Sequence, residues 1–388
     1  MRFTEFSGEW KEELLDRIAT LSKGIGIPKE QLSEDGDPCI LYGELYTKYK
    51  SEIIKQVESK TDIDGSKLKR SKANDVIIPC SGETAVDIAT ARCVPFDSIL
   101  LGGDLNVISL HKYDGAFMSY QLNGKRKYDI ARVAQGVSVV HLYGEHLKTI
   151  KTYNPTLPEQ QKIAILLSLL DERIATQNKI IEKLQSLIKG LSQQLLSSEN
   201  DWILYRLDDL AQIKSGYSGT QVSYQTPYKV SRIETISKHC IDIQRIGYVE
   251  CIPESYRLNV GNILFSNINS IQYIGNTAYL DKDYGLYHGM NLLRIIPNTT
   301  IVRPRFLHLL LCTDWAINHF QTICNKAVSQ ASINQTALGK SRFPIPPMSV
   351  QQQICSMFEL TERKLDNEQE YISCLQQQKR YLLQKMFI

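Results

Sequence analysis

Two stretches of this 388-residue chain carry the same pattern, and the second begins 192 residues after the first. The first copy opens with GEWKEELLDRIATLSKG and the second with NDWILYRLDDLAQIKSG, so Trp10 corresponds to Trp202 and Gly24 to Gly216. The copies close on PTLPEQQKI from Pro155 and PPMSVQQQI from Pro346, which are 191 residues apart. A repeat of this length predicts two similar globular units, each followed by a helix.

Four segments follow from the repeat. We predict a globular domain over residues 1–152, a long helix over 153–199, a second globular domain over 200–345 and a second long helix over 346–388. Short apolar runs separated by glycines occur in both globular segments and indicate strands joined by turns. The predicted fold class is therefore α/β, of the mixed α+β kind, with two similar domains separated by two long helices.

Both helical segments carry seam residues at alternating intervals of four and three, which is typical of a coiled coil. The apolar seam residues are Ile163, Leu167, Leu170, Ile174, Ile181, Leu184, Ile188 and Leu191 in the first helix and Ile354, Phe358, Leu365, Ile372, Leu375 and Leu382 in the second. Polar residues take other seam places: Gln177 in the first helix, and Thr361, Glu368 and Lys379 in the second. Such residues cost stability but can fix the register of a pair.

Each of the two helices has a partner of equal length in the same chain. A helix over residues 158–196 would extend about 58 Å. Because a globular domain separates the two helices in the sequence, the simplest pairing is antiparallel. We predict an antiparallel intramolecular coiled coil; the alternatives are that each helix packs on its own domain or that the seam joins two copies of the chain.

The composition is that of an ordinary soluble protein, with 43% hydrophobic and 22% charged residues. No apolar run approaches the ~18 residues that a membrane span needs, and the N-terminus lacks the pattern of a secretion signal. The nine cysteines include no CxxC pair, which favours reduced thiols. We expect a cytoplasmic protein that has no membrane contact.

The loops of both domains suggest contact with DNA. Because the net charge is only +3, any phosphate-binding surface must be local. Tyr, Asn, Ser and Thr accompany Lys or Arg in several loops, and such side chains contact phosphates and base edges. The candidate DNA contacts are Tyr42, Tyr46, Thr47, Lys48, Tyr49, Lys67, Lys69, Arg70, Lys125, Arg126, Lys229, Arg232, Glu234, Thr235, Ser266, Asn267, Asn269, Ser270, Tyr273, His288 and Asn291. The alternative is an ordinary solvated loop surface.

Catalytic and cofactor motifs are missing from the sequence. It contains no GxxxxGK phosphate loop, no HExxH and no GxSxG. The NPTL segment from Asn154 is similar to the Asn-Pro-Pro-aromatic motif of amino-methyltransferases, but Leu157 replaces the aromatic residue, and we interpret the segment as the start of the helix. The histidines show no metal-ligand spacing. We predict no catalytic residue and no metal site.

The chain resembles the specificity subunit of type I restriction-modification enzymes, the HsdS family, over its whole length. The resemblance lies in PTLPEQQKIAILLSLLDERIATQNKIIEKLQSLIKGLSQQLL, in the weaker PPMSVQQQI that ends in LLQKMF, in the GEW and DW openings, and in AQGVSVVHLYGEHLK and AVSQASINQTALGK before the helices. The second helix departs from the first copy, with Val350 and Gln353 in place of Glu159 and Lys162.

The resemblance implies two target-recognition domains that each read half of a split DNA sequence, with the helices acting as a ruler across the spacer. It implies that this chain is a non-catalytic subunit without a cofactor. The expected partners are double-stranded DNA, two modification subunits that bring S-adenosylmethionine and methylate adenine, and restriction subunits that translocate DNA with ATP and Mg²⁺. The alternatives are a self-contained DNA methyltransferase or nuclease with degenerate motifs, and a coiled-coil scaffold without a DNA role.

Overall fold

A computed structural model describes residues 2–197, 202–237, 239–326 and 330–387. The chain forms two compact units: unit 1 comprises Met1–Ile180 with Glu368–Ile388, and unit 2 comprises Ile181–Asn367. Each unit therefore includes part of both long helices, whereas the repeat in the sequence predicts the helices as separate segments. The predicted boundary at residues 199 and 200, the first residues of the second repeat and residues 327–329 of the AVSQ segment lie outside the described residues.

Unit 1 is built from short strands and helices that lead into a long helix. Its strands are β1 (Lys11–Leu14), β2 (Ala19–Lys23), β3 (Leu32–Ser33), β4 (Asp37–Ile40), β5 (Lys60–Thr61), β6 (Lys69–Arg70), β7 (Asp75–Pro79), β8 (Ser81–Gly82), β9 (Arg92–Val94), β10 (Leu100–Leu101), β11 (Leu105–Leu110), β12 (Val140–His141) and β13 (Lys151–Asn154). Its helices are α1 (Leu15–Ile18), α2 (Glu44–Thr47), α3 (Ala85–Ile88), α4 (Gly115–Asn123), α5 (Lys127–Val133), α6 (Gly144–Lys148) and the first part of α7 (Leu157–Leu195), with 3-10 turns at Lys29–Gln31 and Gly65–Lys67.

Unit 2 repeats this plan after α7. Its strands are β14 (Ile203–Arg206), β15 (Ala211–Ser215), β16 (Gln221–Val222), β17 (Tyr228–Val230), β18 (Ile236–Ser237), β19 (Cys240–Ile241), β20 (Gly247–Val249), β21 (Ile263–Phe265), β22 (Ile268–Asn269), β23 (Thr277–Tyr279), β24 (Leu286–Tyr287), β25 (Leu293–Pro297), β26 (Asn325–Lys326), β27 (Ala331–Ser332) and β28 (Arg342–Ile345). Its helices are α8 (Leu207–Leu210), α9 (Pro304–Leu311), α10 (Asp314–Ile323), α11 (Gln335–Gly339) and the first part of α12 (Met348–Lys385), with 3-10 turns at Ile233–Thr235 and Glu254–Tyr256. The last part of α12 belongs to unit 1.

The two units share one sheet topology. The four-stranded sheet of unit 1 has the order β2-β11-β7-β9, and that of unit 2 has the order β15-β25-β21-β23. The first strand of each unit pairs antiparallel with the strand before its long helix, β1 with β13 and β14 with β28. A further sheet in each unit contains one parallel pair, β4 with β10 and β17 with β24. The sequence repeat therefore corresponds to two copies of one mixed α/β fold.

The cores lie between the four-stranded sheets and the short helices. In unit 1, Val76 of β7 and Ile108 of β11 pack with Met118 of α4. In unit 2, Phe265 of β21 meets Phe320 of α10 edge to face, with the ring centroids 5.0 Å apart. Burial of such side chains supplies most of the folding free energy of each unit.

A buried glutamine, repeated in the two copies, fixes the start of each long helix. Nε2 of Gln160 donates to a proline carbonyl at 2.8 Å, and its Oε1 accepts from the backbone N–H of Asp114 at 2.9 Å. Nε2 of Gln351 likewise donates to a proline carbonyl at 2.9 Å, and its Oε1 accepts from the backbone N–H of Arg303 at 2.8 Å. Asp114 and Arg303 are the N-caps of α4 and α9. The recurring glutamine thus ties a long helix to a helix of the adjoining domain.

In unit 1 the two long helices run antiparallel. Nε2 of Gln177 donates to the carboxylate of Glu368, and Nζ of Lys379 lies 2.6 Å from Oδ1 of Asp171. The later residue of α7, Gln177, thus pairs with the earlier residue of α12, Glu368, as in an antiparallel pair. The buried seam residues of this unit are Ile163, Leu167, Leu170, Leu375 and Leu382, and the half-buried ones are Ile174 and Ile372. The polar pair between Gln177 and Glu368 allows one register.

In unit 2 the remaining parts of the two helices enter the domain core. Ile354 and Phe358 are buried in the core cluster, and Ile188 and Leu191 pack against it. The other seam residues of this unit, which are half-buried, are Ile181, Leu184 and Leu365. Every apolar position that the spacing assigned to the seam is thus buried or half-buried within its own unit.

Within the described residues, none of the helices combines the length and the apolar composition that a bilayer crossing requires.

Candidate nucleic-acid interface

Three loops of unit 2 meet around a polar cleft of about 510 Å³. The first loop follows β15, the second follows β17, and the third joins β24 to β25. The cleft is lined by Ser218, Gly219, Thr220, Gln221, Arg232, Ile233, Glu234, Met290 and Asn291. Three candidates from the sequence, Arg232, Glu234 and Asn291, are therefore brought together.

The charged side chains of this cleft are not committed to folding. Nε of Arg232 lies 3.4 Å from Oε2 of Glu234, and the two side chains are 45% and 55% exposed. An ion pair this exposed contributes little to stability. Asn291 is exposed and has a backbone φ of 62°, so its side chain projects from a tight turn. The cleft can therefore offer a guanidinium, a carboxylate and a carboxamide to a ligand.

Sequence reasoning missed the first wall of the cleft, which consists of Ser218, Thr220 and Gln221. The sequence marks these residues only by a polar run shortly after Gly216, one of the glycines that recur in the two copies. Because hydroxyl and amide side chains abound in loops, that run did not separate them from other loops.

The other exposed candidates of unit 2 line a different loop or strand. Lys229 is exposed on β17, and Tyr273 is exposed in the turn after β22. Nδ2 of Asn269 donates to Oγ of Ser266 at 3.2 Å, and its Oδ1 accepts from the backbone N–H of Ser270 at 2.8 Å. Asn267 is half-buried, and its Nδ2 donates to a backbone carbonyl at 3.4 Å. The amide of Asn269 thus holds its own loop together, and the amide of Asn267 ties that loop to Ile333.

Four predicted contacts are buried side chains: Tyr49, Thr235, Ser266 and His288. Oγ1 of Thr235 accepts from the backbone N–H of Arg232 at 2.8 Å and donates to the carbonyl of Arg245 at 2.7 Å. Since buried side chains do not reach DNA from this conformation, the prediction is corrected for these four residues. Loop composition does not distinguish a side chain that caps a turn from one that projects into solvent.

Buried His288 makes unit 2 sensitive to acid. Burial, assisted by Arg294, lowers the pKa of His288 to about 4. A group whose pKa is lowered by folding contributes stability above its unfolded pKa of ~6.5, and that stability is lost as the pH falls towards the folded pKa. We expect His288 to cost unit 2 about 2 to 3 kcal/mol between pH 7 and pH 4.5.

Urea unfolding of the full chain at several pH values, followed by the fluorescence of Trp202 and Trp315 in unit 2, measures this loss. The His288→Gln variant is the control, because a neutral amide removes the titration. An equal pH dependence in the variant and the wild type contradicts the prediction.

The candidates around α2 of unit 1 are mostly engaged within the domain. The hydroxyl of Tyr46 donates to the carbonyl of Ser81 at 2.9 Å, and Oγ1 of Thr47 donates to the carbonyl of Gly43 at 3.0 Å. Nζ of Lys48 lies 2.8 Å from Oε1 of Glu44. Tyr42 is exposed and projects from the loop before α2.

The basic candidates of unit 1 lie at two places. Lys67 and Arg70 are exposed and Lys69 is half-buried at β6 and the turn before it; Arg70 forms an ion pair with Asp37 at 2.6 Å. Lys125 is exposed between α4 and α5, and half-buried Arg126 lies over the ring of Tyr153, 5.0 Å from its centroid. Lys67 and Lys125 are therefore exposed cations of the predicted set in this unit.

In the part of the chain that the structure describes, no three His, Cys, Asp or Glu side chains are arranged to hold a metal ion.

Family comparison reproduces the duplication. The type I restriction modification DNA specificity domain matches residues 8–186 and, a second time, residues 199–377. The chain belongs to this family. Each specificity domain consists of one globular domain and much of the long helix that follows it, and the second one contains the polar cleft.

Two curated relatives and one solved structure are similar to this specificity-domain protein. The putative type I restriction enzyme MjaX specificity subunit of Methanocaldococcus jannaschii is 38% identical over 193 residues, which are 48% of this chain and 45% of that protein. The MjaVIII specificity subunit of the same organism is 23% identical over 313 residues, 72% of this chain and 70% of that one. The chain thus spans about half the length of the first relative. The crystal structure of a type I restriction-modification S subunit from M. genitalium has the same fold, with a TM-score of 0.61 and 17% identity over 100% of this chain and 99% of that one.

Proposed function

We propose that this chain is the specificity subunit of a type I restriction-modification complex and that each specificity domain reads one half of a split target in double-stranded DNA. The observation that carries the proposal is the duplication of one DNA specificity domain within a single chain. Both curated relatives are named specificity subunits. In this role the chain selects the sequence, and its partner subunits perform the chemistry.

The long helices then determine the spacer between the two half-sites. α7 is one continuous helix from Leu157 to Leu195, and α12 is continuous from Met348 to Lys385. A helix is stiff along its axis and gains about 1.5 Å per residue. Helix length therefore translates into a number of base pairs that the complex leaves unread.

Exposed apolar residues recur on both long helices and support the docking of two modification subunits. Leu169 on α7 is 55% exposed, and Leu360, 191 residues later on α12, is 57% exposed. The pairs Leu157 with Met348 and Ile180 with Tyr371 have the same separation and are also exposed. Leu169 and Ile180 lie on one face of α7, as Leu360 and Tyr371 do on α12, and form an apolar stripe. Exposed apolar surfaces mark interaction sites, and a stripe present twice is suited to two copies of one partner.

Substituting one leucine of the stripe is expected to remove one partner copy. A Leu169→Glu or Leu360→Glu variant should bind one modification subunit, and the double variant none, because a buried unpaired carboxylate opposes docking. Native mass spectrometry of the co-expressed complex measures the stoichiometry. Ile203→Glu, an exposed apolar position on β14, is the control and should keep both copies. Two copies bound to either single variant would count against this docking mode.

We further propose that cofactors bind to the partners: S-adenosylmethionine to the modification subunits, and ATP with Mg²⁺ to the restriction subunits. Isothermal titration of the purified chain with each of them should show no binding, whereas the complete complex should bind all three. Tight binding of S-adenosylmethionine to the chain alone would instead support a self-contained methyltransferase.

Mapping of methylated adenines tests the proposed function. The full chain is co-expressed with a modification subunit from the same organism in a host that lacks adenine methylation. We expect one split motif, present only when both proteins are made. Methylation by the chain alone would favour the self-contained enzyme, and a stable complex without any motif would favour the scaffold.

A further inference from the structure

The three loops of the polar cleft are tied to one another by their backbones. In unit 2 the backbone N–H of Tyr217 donates to the carbonyl of His288 at 2.9 Å, and that of Ser231 donates to the carbonyl of Tyr287 at 2.8 Å. The N–H of Gly289 donates to Oγ of Ser231 at 3.0 Å. The walls of the cleft are therefore fixed before any ligand arrives.

Glycine is required where these loops cross. A Cβ atom on Gly216 would overlap the carbonyl oxygen of Gly289, and one on Gly289 would overlap the carbonyl oxygen of Ser231. In unit 1, a Cβ atom on Gly24 would overlap the carbonyl oxygen of Gly102 in the same way. The crossing is thus a feature of both domains.

Unit 1 contains the same framework. The N–H of Ile25 donates to the carbonyl of Leu101 at 3.0 Å, and the N–H of Gly102 donates to the carbonyl of Ile40 at 2.9 Å. The backbone N–H of Leu41 is capped by the side chain of Glu44 at 2.9 Å. In unit 2 the N–H of Arg232 is capped by Thr235 in the same i to i+3 pattern. Arg232 therefore occupies the position of Leu41.

The third loop corresponds as well. Asn291 lies two residues after the crossing glycine Gly289 and has a φ of 62°, and Asp104 lies two residues after Gly102 and has a φ of 58°. The two turns thus share a left-handed residue at the same distance from the crossing glycine, but the side chains there differ. Asn291 offers a donor and an acceptor, whereas a carboxylate side chain such as that of Asp104 offers acceptors.

The duplication thus preserves the backbone framework while the side chains on it differ: exposed Arg232 stands where half-buried Leu41 packs on a core cluster, and Asn291 stands where Asp104 does. A side chain needed for folding would serve the same purpose in both copies, as Gln160 and Gln351 do. Arg232 has an exposed ion pair with Glu234 that folding does not require. A shared backbone frame that carries different exposed side chains is what two readers of different sequences need.

We propose that Arg232 and Asn291 are the side chains that determine which bases the second specificity domain accepts, with Glu234 orienting the guanidinium. The ligand is the major-groove edge of duplex DNA: a guanidinium suits the two acceptors of guanine, and a carboxamide suits adenine. This inference rests on the proposed function and adds the residues that read one half-site.

Two conservative variants test it in the complex of the full chain with its modification subunit. Arg232→Lys keeps the charge but loses the two-pronged geometry, and Asn291→Asp keeps the shape but replaces the donor with an acceptor. Each complex is offered a pool of duplexes with both half-sites randomised, and the methylated duplexes are sequenced. The control is Arg245→Lys, an exposed arginine of the same unit outside the cleft.

Each variant should relax or change one base position of the same half-site, with discrimination falling roughly 5- to 100-fold, while the other half-site and the control stay unchanged. Unaltered base preferences in both variants would overturn the inference, as would a uniform loss of methylation without a change of preference, which indicates a phosphate contact. If the wild-type complex selects no sequence at all, the proposed function fails as well, and the two failures are thereby distinguished.

Discussion

Replacing Lys379 with methionine is expected to lower the free energy of unfolding by about 3 to 5 kcal/mol. Nζ of Lys379 lies 2.5 Å from Oε2 of Glu52 and 2.6 Å from Oδ1 of Asp171, and all three side chains are nearly buried. Tyr120 donates its hydroxyl to Asp171 at 2.7 Å. Removing the ammonium group leaves two buried carboxylates without the cation that contacts them, which is among the most costly changes to a protein interior. Urea unfolding of the full chain measures the loss.

The pH dependence of the lost stability shows whether the loss arises from unpaired charge or from packing. Burial raises the pKa of Glu52 even though Lys379 opposes the shift, and removing Lys379 should raise it further. A carboxyl whose folded pKa is raised contributes stability that is present below its unfolded pKa and is lost as the pH rises through the folded pKa. The deficit of the variant should therefore shrink on acidification from pH 7 towards pH 4.5.

Two controls accompany this variant. Arg380→Met, at the next, exposed position of α12, should change stability by less than about 0.5 kcal/mol. Adding Glu52→Gln and Asp171→Asn to Lys379→Met should restore part of the loss, because neutral amides need no counter-ion. A deficit that is independent of pH and is not restored by the amides would show that only packing was lost.

Lengthening both helices by one turn is expected to lengthen the unread spacer by one to two base pairs while both half-sites stay the same. Four residues add about 6 Å to a helix, and duplex DNA rises about 3.4 Å per base pair. The insertions belong after Ile180 in α7 and after Asn367 in α12, where each helix passes from one unit to the other. An insertion after Leu170 alone would move Asp171 and Gln177 away from their partners Lys379 and Glu368, which would destabilise unit 1.

Mapping of methylated adenines gives the spacer directly. The control is the same insertion after Pro297, at the end of β25, outside both long helices, and it should leave the spacer unchanged. Altered half-sites with an unaltered spacer would show that the helices do not act as a ruler. Because each base pair also rotates the second half-site about the duplex, weaker overall methylation is expected with the longer spacer.

The seam could be predicted from the sequence because a coiled coil depends on a local period. Seam positions recur at alternating intervals of four and three from Ile163 to Leu191. An apolar stripe of that period has to be buried whatever surrounds it. Lys379 also occupies a seam position, but its ion-pair partner Glu52 does not. Glu52 precedes it by 327 residues, and no local signal joins two residues that far apart.

The directions of the loop side chains could not be predicted from the sequence, because polar composition says nothing about direction. Arg232 and Asn291 project into the cleft, whereas Thr235, only three residues from Arg232, points inward and caps its backbone. The sequence shows all three as polar loop residues. Comparing the two copies through their hydrogen bonds separates the framework from the variable positions, and that comparison needs coordinates.

The sequence by itself determined that the chain is duplicated, that each copy ends in a long helix, and that these helices have matching seams, because repetition and helical period are local properties of a chain. Only the tertiary structure decided that each compact unit includes parts of both helices, that Lys379 closes a buried network with Glu52 and Asp171, and which polar loop side chains face solvent. Burial and charge pairing arise between residues distant in sequence, and they are fixed only when the chain packs.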